Sequence, residues 1–146
     1  MMRRRPQADD RGAASVEVVL LVPMILLVIG LMVAGWRLWA ARSATQQAAQ
    51  AAARAASIAR SGADAGGRAD QVARSNLAAL GAPCGTSSVA TDVSAFSLAP
   101  GMEGWINVSV TCQLGFADLV LPGMPGHLQV TGEAAERLDT FRERRP

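Results

Sequence analysis

Few side chains in this sequence could do covalent or acid–base chemistry, and their types and spacing narrow the options quickly. His127 is the only histidine. No paired-imidazole or C-x-x-C spacing exists to hold a metal ion, and next to Gly126 this histidine reads as a loop or strand-edge residue. The glycine-containing stretches lack the patterns that cradle phosphates or dinucleotides, and no Ser/His/Asp set can be assembled. No enzyme activity, cofactor or metal is expected. Two groups remain: the cysteines Cys84 and Cys112, and the run from Arg11 to Glu17.

Cys84 and Cys112 are the only cysteines. In an oxidising compartment an even pair is most simply a structural disulfide. It would close a loop of about 28 residues and stabilise the fold by on the order of 3 kcal/mol in the chain-entropy description. The other reading is two free thiols, with Cys112 filling the apolar face of a strand.

Arg11-Gly12-Ala13-Ala14-Ser15-Val16-Glu17 stands at the mouth of an apolar block, so Glu17 lies at the very edge of hydrocarbon. A carboxylate pushed to the bilayer centre costs ~2.5–3.5 kcal/mol. Spacing alone leaves two readings open. Glu17 could simply sit solvated among headgroups. Alternatively, a cut after Gly12 would free an α-amino group at Ala13, one helical turn before Glu17. Amine and carboxylate could then pair within a chain or between neighbouring chains in lipid, and an unpaired Glu would be penalised. Such a pair would set register between subunits.

The element that positions these groups is the block itself. Val18 to Trp36 contains no charged residue over its 19 positions, and a helix of that length nearly spans a ~30 Å hydrocarbon core. Arg3, Arg4, Arg5 and Arg11 precede it, which predicts a cytoplasmic N-terminus and an outer C-terminus. Arg37 and Arg42 reduce that asymmetry without cancelling it, and Trp36 and Trp39 suit an interfacial belt. The run exceeds the 7–15 residues of a cleaved secretory signal and no A-x-A-like site follows closely. Although the sequence pI is about 9.0, ten Arg and ten acidic residues follow Gly12, so the body carries no basic stripe for nucleic acid.

A short basic leader ending in Gly, a Glu five residues beyond the cut and a long hydrophobic helix resemble the class III signal peptide of type IV pilin-like proteins. With the Leu-, Val- and Pro-containing run that follows, residues 11–60 resemble the TadE-like minor pseudopilins of the tight-adherence (Flp) pilus system. The resemblance implies that a prepilin peptidase cuts after Gly12, that Ala13 becomes the N-terminus, and that Glu17 is the pilin-type glutamate serving assembly. Implied partners are that peptidase, other pilin-like subunits and the assembly platform. Major Flp pilins usually carry an aromatic after the glutamate, where Val18 stands here, and they are much shorter. Both departures point to a minor component.

Beyond the span, Ser43, Gln46, Gln47, Gln50, Arg54, Ser57 and Ser61 recur at helical spacing. Ala44, Ala48, Ala51, Ala52, Ala55, Ile58 and Ala59 fill the other face, predicting a helix continuous to Arg60 and about 70 Å long. Pro23 marks a tolerated kink position in it. Residues 61–67 read as a break and 68–80 as a second helix, stopped by Gly81 with Pro83 beyond. The period then changes to two. Val89, Thr91 and Val93 open a strand toward Leu98, and Trp105–Leu114 alternates most clearly, with Ile106, Val108, Val110, Cys112 and Leu114 on one face. Gly115–Gly126 reads as an apolar loop, Leu128 and Val130 as a third strand, and the tail from Glu133 as initially helical.

The expected architecture is α+β. Residues 1–12 form a leader, 13–60 a transmembrane and stalk helix, and 61–146 a small, pilin-like outer domain with an antiparallel sheet. The expected location is the cell membrane, single-pass. An uncleaved, signal-anchored envelope protein with a partner-binding outer domain is the alternative. Release by signal peptidase near Thr45 is a weaker third.

Overall fold

In the computed structural model, residues 11–99, 101–115 and 126–138 are described, with side chains from Val18 onward. Residues 1–10, most of the segment expected as the Gly115–Gly126 loop and the last residues of the tail lie outside them. The elements are α1 (Arg11–Ser57), α2 (Gly62–Ala79), β1 (Thr86–Asp92), a short 3-10 turn (Ser94–Ser97), β2 (Trp105–Gly115) and β3 (His127–Arg137). The strands form one antiparallel sheet in the order β1-β2-β3. The α+β expectation holds.

α1 is 47 residues long and passes through Pro23 without a break in the helix. Its two halves differ in environment. Every large apolar side chain from Val18 to Val33 is 36–71% exposed, whereas Ala41, Ala44, Ala48, Ala49, Ala52, Ala53, Ala56 and Ala59 are buried. The upper half is therefore part of the folded body. Ala51, Ala55 and Ile58, expected on the buried face, are displaced from it by Ala49, Ala53 and Ala56. Two partners flank the helix, α2 and the sheet, and the buried stripe is wider and rotated relative to a one-partner stripe.

α2 begins at Gly62, six residues earlier than its apolar periodicity suggests. Ser61 caps it, its extended backbone placing Oγ to accept from the Asp64 N–H at 3.3 Å. Gly66 and Gly67 are thus helical, and the segment expected as a break is the first turn and a half of a helix. Its end is as expected. Gly81 has φ 59°, its N–H donates to the Ala78 carbonyl and the Ala82 N–H to that of Leu77. This pair of bonds is a Schellman closure, which requires the left-handed conformation that glycine adopts at no steric cost. Ala65, Ala69, Ala73 and Leu77 recur every four residues on the buried face. Alanine against alanine lets the α1 and α2 backbones lie close together.

β2 supplies the largest buried side chains, Ile106, Val108, Val110 and Leu114, with Cys112 beside them, all from the face read in the sequence. Ile106, Val108 and Val110 share a cluster with the Ala48–Ala56 region of α1. Cys112, Leu114 and Val130 pack with Ala41 and the half-buried Leu38. The helix therefore runs antiparallel to β2 down its length. β1 stops at Asp92 and does not reach Val93, because the Asp92 carboxylate accepts the Ser94 N–H at 3.0 Å and turns the chain into the 3-10 segment.

The tail corrects the sequence reading. Glu133–Arg137 continues β3 instead of forming a helix, each residue in register with β2 from Ser109 to Trp105. Glu-Ala-Ala-Glu-Arg favours helix locally. Pairing along the full length of β2, with Ala134 against the core and Leu138 buried behind it, outweighs that preference. Leu138 N–H donates to the Gly104 carbonyl at 2.9 Å, fixing the strand end.

The tightest contact lies at Gly132, opposite Val110 in the middle of β3. A Cβ there would come within 2.5 Å of the Thr45 carbonyl carbon and oxygen and 2.6 Å of the Gln46 nitrogen. The α1 backbone thus rests directly on the β3 backbone. Alongside, the Gln46 carboxamide spans both main-chain groups of Glu133: Nε2 donates to its carbonyl at 2.7 Å and Oε1 accepts its N–H at 3.4 Å. β3 is an outer strand, and this pairing occupies edge groups that would otherwise be open to another chain.

Alanine normally suits a strand better than glycine by up to about 1 kcal/mol. At position 132 the clash is with rigid backbone, and overpacking of that kind costs about 1–3 kcal/mol. Gly132→Ala is therefore expected to lower stability, read as a reduced denaturant midpoint of the folded body. A second expectation concerns acid. The Arg68 guanidinium beside Asp64 and the Ser94 N–H on Asp92 hold both carboxyls below the ordinary aspartate range. A folded-state value below the unfolded one adds stability above the unfolded value of ~3.9, and that stability disappears as pH falls through the folded values. The thermal midpoint should be flat from neutral pH to about 5 and fall below 4. Asp92→Asn should shrink that acid-dependent part.

Candidate functional site

The features left unsatisfied by the chain's own packing mark its site of action. The dominant one is the lower half of α1. From Val18 to Val33 its apolar side chains meet no other part of the described chain, and the helix is long and apolar enough to cross a membrane. Burying one such side chain is worth about 1.5–3 kcal/mol, so over a dozen of them outweigh the net stability of a small domain, about 5–15 kcal/mol. This half-helix requires an apolar surrounding, lipid or other helices.

Gly12, Ala13 and Glu17 lie in the first two turns of α1. The backbone there is helical, and Glu17 follows Ala13 by one turn, about 6 Å of rise. Arg11–Ser57 contains one carboxylate, at position 17, so any pairing of Glu17 along this helix would have to come from a basic group or a freed amine.

The two cysteines are joined. Cys84 and Cys112 form a disulfide with sulfurs 1.99 Å apart and Cα atoms 5.3 Å apart. Cys112 is fully buried on the core face of β2 and pairs in register with Ser87. Cys84 packs against both core clusters. The bond ties the α2–β1 connection to the central strand where the two clusters meet. Gly85 N–H donates to the Gln113 carbonyl at 2.8 Å beside it.

Among the described residues no three His, Cys, Asp or Glu side chains gather as a metal site requires. His127 starts β3 and is exposed. Two broad concavities of about 670 Å³ each lie on the surface, one over the outer sheet face at Asp92, Asn107 and Glu133, the other between α1 and β3 at Arg42, Gln46 and Gln129. Both are open to solvent.

Residues 12–54 match the family described as TadE-like protein. The matched segment is similar to TadE-like proteins. It begins at Gly12, takes in Glu17 and the whole apolar half of α1, and ends at Arg54 within the packed half. It coincides with the stretch that carries the resemblance seen in the sequence, and it is consistent with a protein of the Tad pilus. The sheet and α2 lie outside it. Comparison with curated proteins and with solved structures gave no match.

Sequence reasoning singled out Gly12, Ala13 and Glu17 and found the cysteine pair, but it overlooked the Gly132–Thr45 approach and the Gln46–Glu133 pairing. Gly132 did carry a signal, since an isolated glycine inside an alternating strand pattern marks a close backbone approach. Gln46 carried none, because its partner lies 87 residues away.

The chain-entropy description assigns a disulfide of this separation, 28 residues, about 3–4 kcal/mol. Replacing both cysteines by serine should therefore lower the unfolding free energy by roughly that amount. Adding reductant to the wild-type chain should lower its melting midpoint in the same direction, with no further effect on the serine variant.

Proposed function

We propose that the protein is a minor, TadE-like pseudopilin that takes part in assembling a Tad (Flp) pilus through its N-terminal hydrophobic helix. The observation that carries this reading is the unpartnered apolar half of α1, coincident with the TadE-like match. A helix so built adds subunits by lateral packing. The folded body at its far end is stapled by a disulfide.

In this reading the precursor inserts with residues 1–12 in the cytoplasm, where Arg3, Arg4, Arg5 and Arg11 hold the orientation. A prepilin peptidase removes them after Gly12. The new amine at Ala13 is a full positive charge added to the positive end of a helix, and Glu17 one turn along, or Glu17 of a neighbouring chain, neutralises it. In lipid that pairing fixes the axial register of adjacent helices. The 1–12 leader, the 13–60 membrane and stalk helix and the 61–146 outer domain then have separate tasks. The outer domain meets other pilus components, and an oxidising outer compartment suits the Cys84–Cys112 bond.

The test is the mature N-terminus. In cells holding the prepilin peptidase, sequencing of the membrane-extracted protein should start at Ala13. Gly12→Ala should leave the leader in place and abolish assembly. A wild-type chain that keeps its leader, with Gly12→Ala silent, would instead make this an uncleaved signal-anchored envelope protein.

A further inference from the structure

We infer that the groove between α1 and β3 is a binding site for an anionic phospholipid headgroup, which seats the folded body on the bilayer surface. The inference rests on the membrane-spanning reading of α1. The groove is lined by Trp39, Arg42, Gln46 and Gln50 along one face of α1 and by Gln129 and Thr131 of β3. Its volume, about 670 Å³, suits a headgroup with its glycerol.

Position is the first argument. Trp36 closes the charge-free run, and at 1.5 Å per residue Trp39 lies ~4.5 Å and Arg42 ~9 Å beyond it. The headgroup zone extends about 5–8 Å from the hydrocarbon on each side, so the mouth of the groove opens within or just above that zone. Trp36 and Trp39 are 66% and 67% exposed, as residues of an interfacial belt are. The groove is continuous with the surface that lipid covers.

Charge is the second. Four arginines of the folded body face a carboxylate: Arg54 with Glu136, Arg68 with Asp64, Arg74 with Asp70 and Arg137 with Glu103. Arg42 makes no ion pair among the described residues, and it is the only charged side chain lining the groove. No acidic residue occurs in the sequence between Val18 and Ala63. Around this cation the groove offers carboxamides and hydroxyls, which can donate to phosphate and glycerol oxygens alike. A phosphodiester supplies the missing charge. Arg42 also stands on the side of the span where arginine weakens the orientation signal, and a headgroup ligand accounts for its placement there.

The full chain would be reconstituted into nanodiscs of phosphatidylcholine containing phosphatidylglycerol as the minority lipid. The lipids retained after mild detergent release would be measured by mass spectrometry. Wild type should retain phosphatidylglycerol in excess of its bulk share. Arg42→Gln should reduce that excess about five-fold, the loss expected for one arginine near an anionic surface, with an unchanged melting midpoint. Arg54→Gln should behave as wild type. Added inorganic phosphate should not displace the lipid, and high salt should, by screening. Equal retention by wild type and Arg42→Gln, or a groove occupied by a second copy with no bound lipid, overturns the inference. A chain that fails to enter nanodiscs overturns the membrane reading and this inference together, whereas one that enters without lipid preference overturns only the latter.

Discussion

The fold depends on a backbone-to-backbone contact. α1 crosses the inner face of β3 at Gly132, where the Thr45 and Gln46 main chain fills the space a Cβ would need, and Gln46 reaches around to hold both main-chain groups of Glu133. Everything else in the body follows from that closeness. With the helix so near the sheet, only alanine fits along most of its buried stripe, and the bulk of the core has to come from β2. Alanine contributes little transfer free energy per residue, so the body gains stability by excluding space between backbones and by the Cys84–Cys112 bond.

This construction explains how one helix serves two environments. Below Trp36 the side chains are large, branched and exposed, suited to lipid or to like helices. Above Ala41 they are small and enclosed. The helix is continuous between the two, so a displacement at its apolar end would be carried mechanically to the folded body some tens of ångströms away. A lateral shift of one helix in lipid would move the whole sheet with it. For a subunit whose proposed role is to pack beside others, a rigid link of this kind couples membrane contacts to contacts made outside.

The interface between those environments is where the groove lies. Thr45 is buried at the point of closest approach and returns its hydroxyl to the Ala41 and Arg42 carbonyls at 3.0 Å. That bond keeps a polar side chain satisfied inside the contact and holds α1 helical directly beneath the body. Arg42 and Trp39 are exposed on the other side of the same turns.

The sequence by itself determined the long apolar helix, the change from helices to strands after Cys84, the core face of β2 and the glycine stop of α2. Each of these is a local pattern of period, composition or capping, readable within a window of a dozen residues. The pairing of Cys84 with Cys112 was legible for a different reason, there being no other cysteine to choose. Only the tertiary structure decided which alanines of α1 are buried, that residues 62–67 belong to a helix, that Glu133–Arg137 is strand, and that Gly132 receives the helix. Among the alanines of α1 no one position is more apolar or more helical than another, so the buried stripe is chosen by the partners. In the tail, eleven residues of pairing with β2 outweigh a helix preference worth tenths of a kcal/mol per residue.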